Sequence, residues 1–217
     1  MNQNPTIHFI SGLGADYLAF SYLKLTSNLD KNFAEWIEPE QNEHFSSYIS
    51  RMINIYKIKE GDIIIGLSFG GMVAVEINKL VRLKQLILLS STATTNGLMP
   101  IIRFVGKLGL NKLFPKKQLN KPNPGMYFMF GAKTNDEKEK LNLFIARGNV
   151  DLNYWSINQL VNWKNHTKPD NAIIINGDDD KIFLVNKVKP DYVIKGGTHL
   201  MVYNKADEIS DIINKIL

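Results

Sequence analysis

Ser68 stands in the stretch Gly66-Leu67-Ser68-Phe69-Gly70, directly after the β-branched run Ile63-Ile64-Ile65. A serine with glycine two residues before and two residues after it, at a strand-to-helix turn, fits the nucleophile elbow, in which a tight, strained turn holds the hydroxyl proud of a sheet. Gly66 and Gly70 are needed because strand and helix pack closely across such a turn, leaving no room for a Cβ. The chemistry open to this serine is attack on an acyl carbon, and a base must take its proton. A Gly/Ser turn can also join any strand to any helix, so the rest of the chain decides the reading.

Four histidines are available as base: His8, His44, His166 and His199. His8 falls inside an apolar run, His44 precedes a helical pattern, and His166 lies in a polar stretch after Trp163. His199, in Gly196-Gly197-Thr198-His199, lies between the last strand pattern and the last helical pattern. A third group, a carboxylate, is needed to orient the imidazole and to stabilise its charged form. Gly177 is followed by three aspartates, Asp178, Asp179 and Asp180. Composition alone leaves the choice among them open, and three in a row also suit a solvated turn or a helix cap. No second acidic or histidine cluster at ligand spacing accompanies them, so we expect no metal and no cofactor.

The elements that must bring these residues together alternate. Residues 6–10 read as a strand and are followed by the glycine turn at 11–16. Tyr17, Phe20, Leu23, Leu25 and Leu29 then suggest a helix. Residues 33–37 form a second strand pattern, 45–56 an amphipathic helix, 63–67 the strand before the elbow, 72–80 a helix and 85–90 another strand. Such alternation specifies a parallel sheet with right-handed crossovers. The grammar changes over 95–168, where 101–110, 136–147 and 152–163 read as helices separated by a Pro/Lys-rich linker at 113–125. It returns with strands at 172–176 and 191–195 and a closing helix at 203–217. In an open parallel sheet the loops at the carboxyl ends of the strands share one edge, so Ser68, the aspartate run and His199 face the same side, and His199 is the expected base.

The order Ser, Asp, His behind a G-x-S-x-G elbow resembles the α/β-hydrolase superfamily over nearly the whole chain. The resemblance implies an α/β fold: a mostly parallel sheet of about six strands with helices on both faces, a minimal form without two antiparallel edge strands. It implies a core from 1–94 and 169–217 and a helical cap (lid) inserted at 95–168, with the 152–163 helix returning the cap to the core. The family's G-x-x-D pattern falls on Gly177 and Asp180, which selects Asp180 as the acid. Some relatives carry the acid after the strand that follows the elbow, but the matching loop Ser90-Ser91-Thr92 has no carboxylate. The oxyanion donors implied are the N–H of Phe69 and that of Leu13. Where the family usually has His-Gly before the latter, this chain has Ser11-Gly12.

Composition excludes several other functions. With no cysteine among 217 residues there are no disulfides, thiolate metal sites or cysteine nucleophiles. No apolar run approaches the ~20 residues of a membrane span, and we expect a cytoplasmic protein. The net charge of +5 is spread out; its one cluster, Lys112, Lys116, Lys117 and Lys121, lacks interleaved aromatics, so nucleic acid is not an expected partner. A dinucleotide-binding reading of Gly12-x-Gly14 with Glu35 or Glu38 fails at its third glycine, where Tyr17 stands. A serine at the elbow argues against dehalogenase and epoxide hydrolase chemistry, which need an aspartate there. The expected activity is hydrolysis of a small carboxylic ester or thioester, with Phe128, Met129 and Trp155 as pocket candidates. The alternatives are C–C bond hydrolysis or acyl transfer on the same triad, or a non-catalytic ligand-binding protein on this fold. Oligomeric state is not legible.

Overall fold

The computed structural model describes residues 4–109, 115, 116, 119 and 121–217. Lys112 and Lys117 of the basic cluster, and the end of the helix expected at 101–110, lie outside these residues.

A strand of successive isoleucines can be buried only if both faces of its sheet are covered. Strands β1 (Ile7–Ile10) and β3 (Ile63–Leu67) are buried at every position. With β2 (Lys31–Ala34), β4 (Gln85–Leu89), β5 (Ala172–Gly177) and β6 (Tyr192–Ile194) they form one six-stranded sheet in the order β2-β1-β3-β4-β5-β6. Every neighbouring pair is parallel.

Alternate side chains feed two cores. Ile64 and Leu88 join Tyr48, Ile49 and Met52 of helix α1 (Phe45–Tyr56) and Met72 and Val73 of helix α2 (Phe69–Leu80). Ile63, Ile65 and Leu67 pack on the other face against Ile209 and Ile213 of the last helix, α9 (Ala206–Ile216). The chain runs outward from β1 to β2 and returns on the far side of β1 as β3. The strand order therefore reverses between β1 and β3, and the loop after β1 meets the Ser68 turn at that switch point.

Among the described residues four α-helices lie between β4 and β5: α3 (Pro100–Lys107), α4 (Pro124–Phe130), α5 (Asn135–Arg147) and α6 (Val150–Asn162). Among the described residues no strand interrupts them. Helix α4 escapes an apolar-periodicity search because it is short. Its signals are local: Asn123 caps it, accepting from Met126 N at 3.1 Å, Pro124 takes the first helical position, and Gly131 closes it with φ 70°. Short helices α7 (Val185–Val188) and α8 (Met201–Asn204) complete the chain.

The helix expected after Tyr17 is only a 3₁₀ turn, Tyr17–Phe20. Beyond it α9 supplies the backbone's partners: Lys24 N donates to Ser210 Oγ at 2.9 Å, Thr26 N to Asn214 Oδ1 at 2.9 Å, and Asn214 Nδ2 to Lys24 O at 2.9 Å. These long-range bonds replace the intrahelical ones. The closing helix is broken at Lys205 into α8 and α9. Among the described residues no helix is long and apolar enough to cross a membrane.

Candidate active site

The elbow is built by steric exclusion. A Cβ on Gly66 would lie 2.6 Å from Gly71 Cα, and one on Gly70 would lie 2.2 Å from the carbonyl oxygen of Ile10. Between them Ser68 has φ 53° and ψ −120°, a conformation that side chains with a Cβ rarely adopt. Its backbone is held on both sides: Ser68 N donates to Leu89 O at 2.9 Å, and Ser91 Oγ donates to Ser68 O at 2.6 Å. Such strain costs on the order of 1–3 kcal/mol, against which glycine's extra freedom in the unfolded chain weighs by about 0.4–1 kcal/mol. Ser68→Gly is therefore expected to be more stable than Ser68→Ala by about 1 kcal/mol, since both lose the hydroxyl and only alanine keeps the strained Cβ. Thermal unfolding should place the glycine variant about 2–4 °C higher; an alanine variant melting at the same or higher temperature would remove the strain.

His199 Nε2 lies 3.0 Å from Ser68 Oγ, and its Nδ1 lies 2.9 Å from Asp180 Oδ2. The other oxygen of Asp180 accepts from Ile182 N at 2.8 Å and Phe183 N at 2.9 Å. A carboxylate so occupied accepts from Nδ1–H, and in the neutral imidazole with that tautomer Nε2 is the acceptor toward the serine hydroxyl. Asp180 and His199 are both buried, and the imidazole is flanked by Phe130 edge-on at 5.1 Å and Phe183 at 5.7 Å between ring centroids. The loops after β5 and β6 meet because Gly177 has no side chain: a Cβ there would lie 2.0 Å from Gly197 O.

The neighbouring aspartates are spent elsewhere. Asp179 pairs with Lys133 at 2.8 Å and Lys181 at 3.0 Å, and those two ammonium groups hold its carboxyl below the usual range. Asp178 accepts from Gly196 N at 2.6 Å. His8 is buried against Asp62, Nε2 to Oδ2 at 3.0 Å, and its Nδ1 faces the Asn32 amide nitrogen at 3.3 Å. That amide also donates to Tyr56 O, so Nδ1 is an acceptor and the ring is neutral; burial lowers its pKa. His44 sits at the N-cap of α1 without a side-chain cap bond, and His166 is exposed.

Of the two amides named as donors, Phe69 N–H opens α2, where no intrahelical carbonyl can reach it. Leu13 N–H has no acceptor within the protein among the described residues. Trp36, which the sequence did not mark, orients that peptide. Its Nε1 donates to Gly12 O at 3.1 Å and Ala15 N donates to the same oxygen at 3.0 Å. With the Gly12 carbonyl so engaged, the planar peptide turns Leu13 N–H to the opposite side. The loop lies against the serine, since a Cβ on Gly12 would come 3.3 Å from Ser68 Cβ.

Ser68 and His199 open onto a cavity of about 190 Å³, walled by Leu13, Phe130, Phe144, Ile145, Ile182 and Phe183 among others. Among the described residues no Asp, Glu, Lys or Arg lines it. Phe128, Met129 and Trp155 do not line it either. Phe128 is 64 % exposed, beneath Lys181 Nζ at 5.2 Å. Trp155 packs on Tyr48 at 4.4 Å and Phe45 at 6.0 Å and donates to Glu43 O. In the sequence, Leu141, Phe144 and Ile145 share one helix face by their three- and four-residue spacing, and that was the legible signal for the wall.

No family model matches this sequence, and no curated protein matches it. Solved structures do match its fold. A lipase-esterase related protein from Clostridium acetobutylicum superposes with TM-score 0.66 at 16% identity, covering 100% of this chain and 96% of that one. The meta-cleavage product hydrolase CumD from Pseudomonas fluorescens gives 0.68 at 14%, covering 98% and 90%. Est816, described as an N-acyl homoserine lactone degrading enzyme, gives 0.70 at 12%, covering 99% and 94%. The chain thus has the α/β-hydrolase fold, a six-stranded parallel sheet with helices on both faces.

Proposed function

We propose that this protein is a serine hydrolase that cleaves a small carboxylic ester or thioester through an acyl-enzyme on Ser68. The observation that carries the reading is the hydrogen-bonded line Ser68 Oγ, His199 Nε2, His199 Nδ1, Asp180 Oδ2, ending in an aspartate whose second oxygen is held by two backbone amides. His199 takes the hydroxyl proton as Oγ bonds to the acyl carbon, and Asp180 stabilises the imidazolium. The negative charge on the former carbonyl oxygen is met by the N–H groups of Phe69 and Leu13, the first of them at the positive end of α2. The imidazolium then protonates the departing alcohol or thiol, and a water activated by the same nitrogen hydrolyses the acyl-enzyme. Helices α3 to α6 act as a cap: Phe130, Phe144 and Ile145 from them roof the serine and keep bulk water from it.

The cavity speaks for a small, uncharged acyl group. At about 190 Å³ it is below the roughly 300–1,000 Å³ of sites for drug-sized ligands. A charged acyl tail would be buried there without a partner. The solved structures of the same fold include an esterase-related protein and an enzyme of lactone breakdown, which agrees with acyl chemistry.

A fluorophosphonate probe tests the assignment of the nucleophile. Wild-type protein is expected to be labelled stoichiometrically and Ser68→Ala not at all; equal labelling of the two would overturn the reading.

A further inference from the structure

Resting on that reading of Ser68, we infer that the edge-to-face pair Tyr22 and Tyr203 is the chain-length stop of the acyl site. Both rings line the cavity that holds Ser68 and His199. Tyr22 and Tyr203 also line a separate surface groove of about 500 Å³ bordered by Ser21, Lys24, Lys205 and Asp207. Among the described residues the two spaces share only these two, so the pair is the partition between them.

The partition is fixed from three directions. The rings meet edge to face, centroids 4.7 Å apart at 78°. The Tyr203 hydroxyl hydrogen-bonds to the Asp136 carboxylate in the first turn of α5, and this bond pushes the phenol up to about 12. Two residues after Tyr22 the backbone is held to α9, where Lys24 N–H donates to Ser210 Oγ. The two sides differ in character: apolar side chains predominate within, and charged ones (Lys24, Lys205, Asp207, Glu208) border the groove without. A short acyl group ends inside the cavity. A longer one meets two aromatic rings held by an edge-to-face contact and a charge-assisted hydrogen bond. Truncating either ring joins cavity and groove and lets a longer chain thread outward.

Acyl esters from acetyl to dodecanoyl, all with one leaving group, provide the test. Wild-type kcat/KM is expected to fall sharply beyond short chains. In Tyr22→Ala and in Tyr203→Ala the dodecanoyl-to-butanoyl ratio should rise at least about tenfold. Tyr203→Phe, which keeps the ring, should retain the wild-type profile. A ratio within about twofold of wild type in both alanine variants would sink the inference, and Tyr22→Ala answers even if Tyr203→Ala does not fold. A second arm needs no catalysis. On a Ser68→Ala background, decanoate should raise the Tm of Tyr22→Ala more than that of the parent, and butanoate should not; equal shifts would overturn the partition. Wild type that takes neither ester nor phosphonate refutes Ser68 as nucleophile, and the alkanoate arm then decides the partition alone.

Discussion

Asp180→Asn is expected to lower ester turnover by about four orders of magnitude, about 5.5 kcal/mol of transition-state stabilisation. The cause is a tautomer. In the native site Asp180 Oδ1 accepts from the amides of Ile182 and Phe183, while Oδ2 faces His199 Nδ1. An asparagine keeps an oxygen toward those two amides and must therefore turn its NH₂ toward Nδ1. That nitrogen then accepts, the proton moves to Nε2, and Nε2 can no longer take the proton of Ser68. The fold should survive, because size and backbone bonds are conserved. Asp179→Asn is the control: Asp179 lies at the surface between Lys133 and Lys181, where ion pairs are worth about 0–1 kcal/mol, so its turnover should stay within a few-fold of wild type. Steady-state kinetics on a short-chain p-nitrophenyl ester would read both. A large loss in the Asp179 variant with none in the Asp180 variant would make Asp179 the acid.

Gly70→Ala is expected to destabilise the protein by about 4 kcal/mol or more, a size reserved for a few named mechanisms. Glycine in a helix ordinarily invites the opposite result, since alanine there gains about 1 kcal/mol of propensity. At Gly70 the added methyl would sit 2.2 Å from Ile10 O and 2.3 Å from Ser11 O. Both are backbone atoms, at the end of β1 and the start of its loop, so no side-chain rotation relieves the clash. The helix or the sheet edge must move, and with it the loop carrying Leu13. A Tm lowered by on the order of 10 °C, or failure to fold, is the expected outcome; a variant at least as stable as wild type would show that the approach of β1 to α2 is looser than these distances.

Much of this molecule is local in origin and could be read before any coordinates. The β-branched run at 63–65 favours a strand, and helix α1 follows its apolar spacing over 45–56 without a residue's difference. Glycines 66 and 70 announce a turn with no space for Cβ. What failed was information held at a distance. The chain after Tyr17 has helical spacing but is claimed by Ser210 and Asn214, almost two hundred residues away. Trp155 and Phe128 have the chemistry of a pocket wall, yet one packs on Tyr48 and the other faces solvent, because helix orientation within the 95–168 segment depends on packing that spacing does not encode.

Ser68 belongs to the first kind of knowledge and its partners to the second. The elbow is determined by sequence because its constraint, two missing Cβ atoms within five residues, is short-range. Among four histidines and three consecutive aspartates, topology and motif favoured His199 and Asp180. Only the tertiary structure decided what each candidate touches. It set His8 neutral against Asp62, turned Asp179 toward two lysines, and brought His199 to 3.0 Å from a hydroxyl 131 residues away, because parallel strands deliver distant loops to one edge of the sheet.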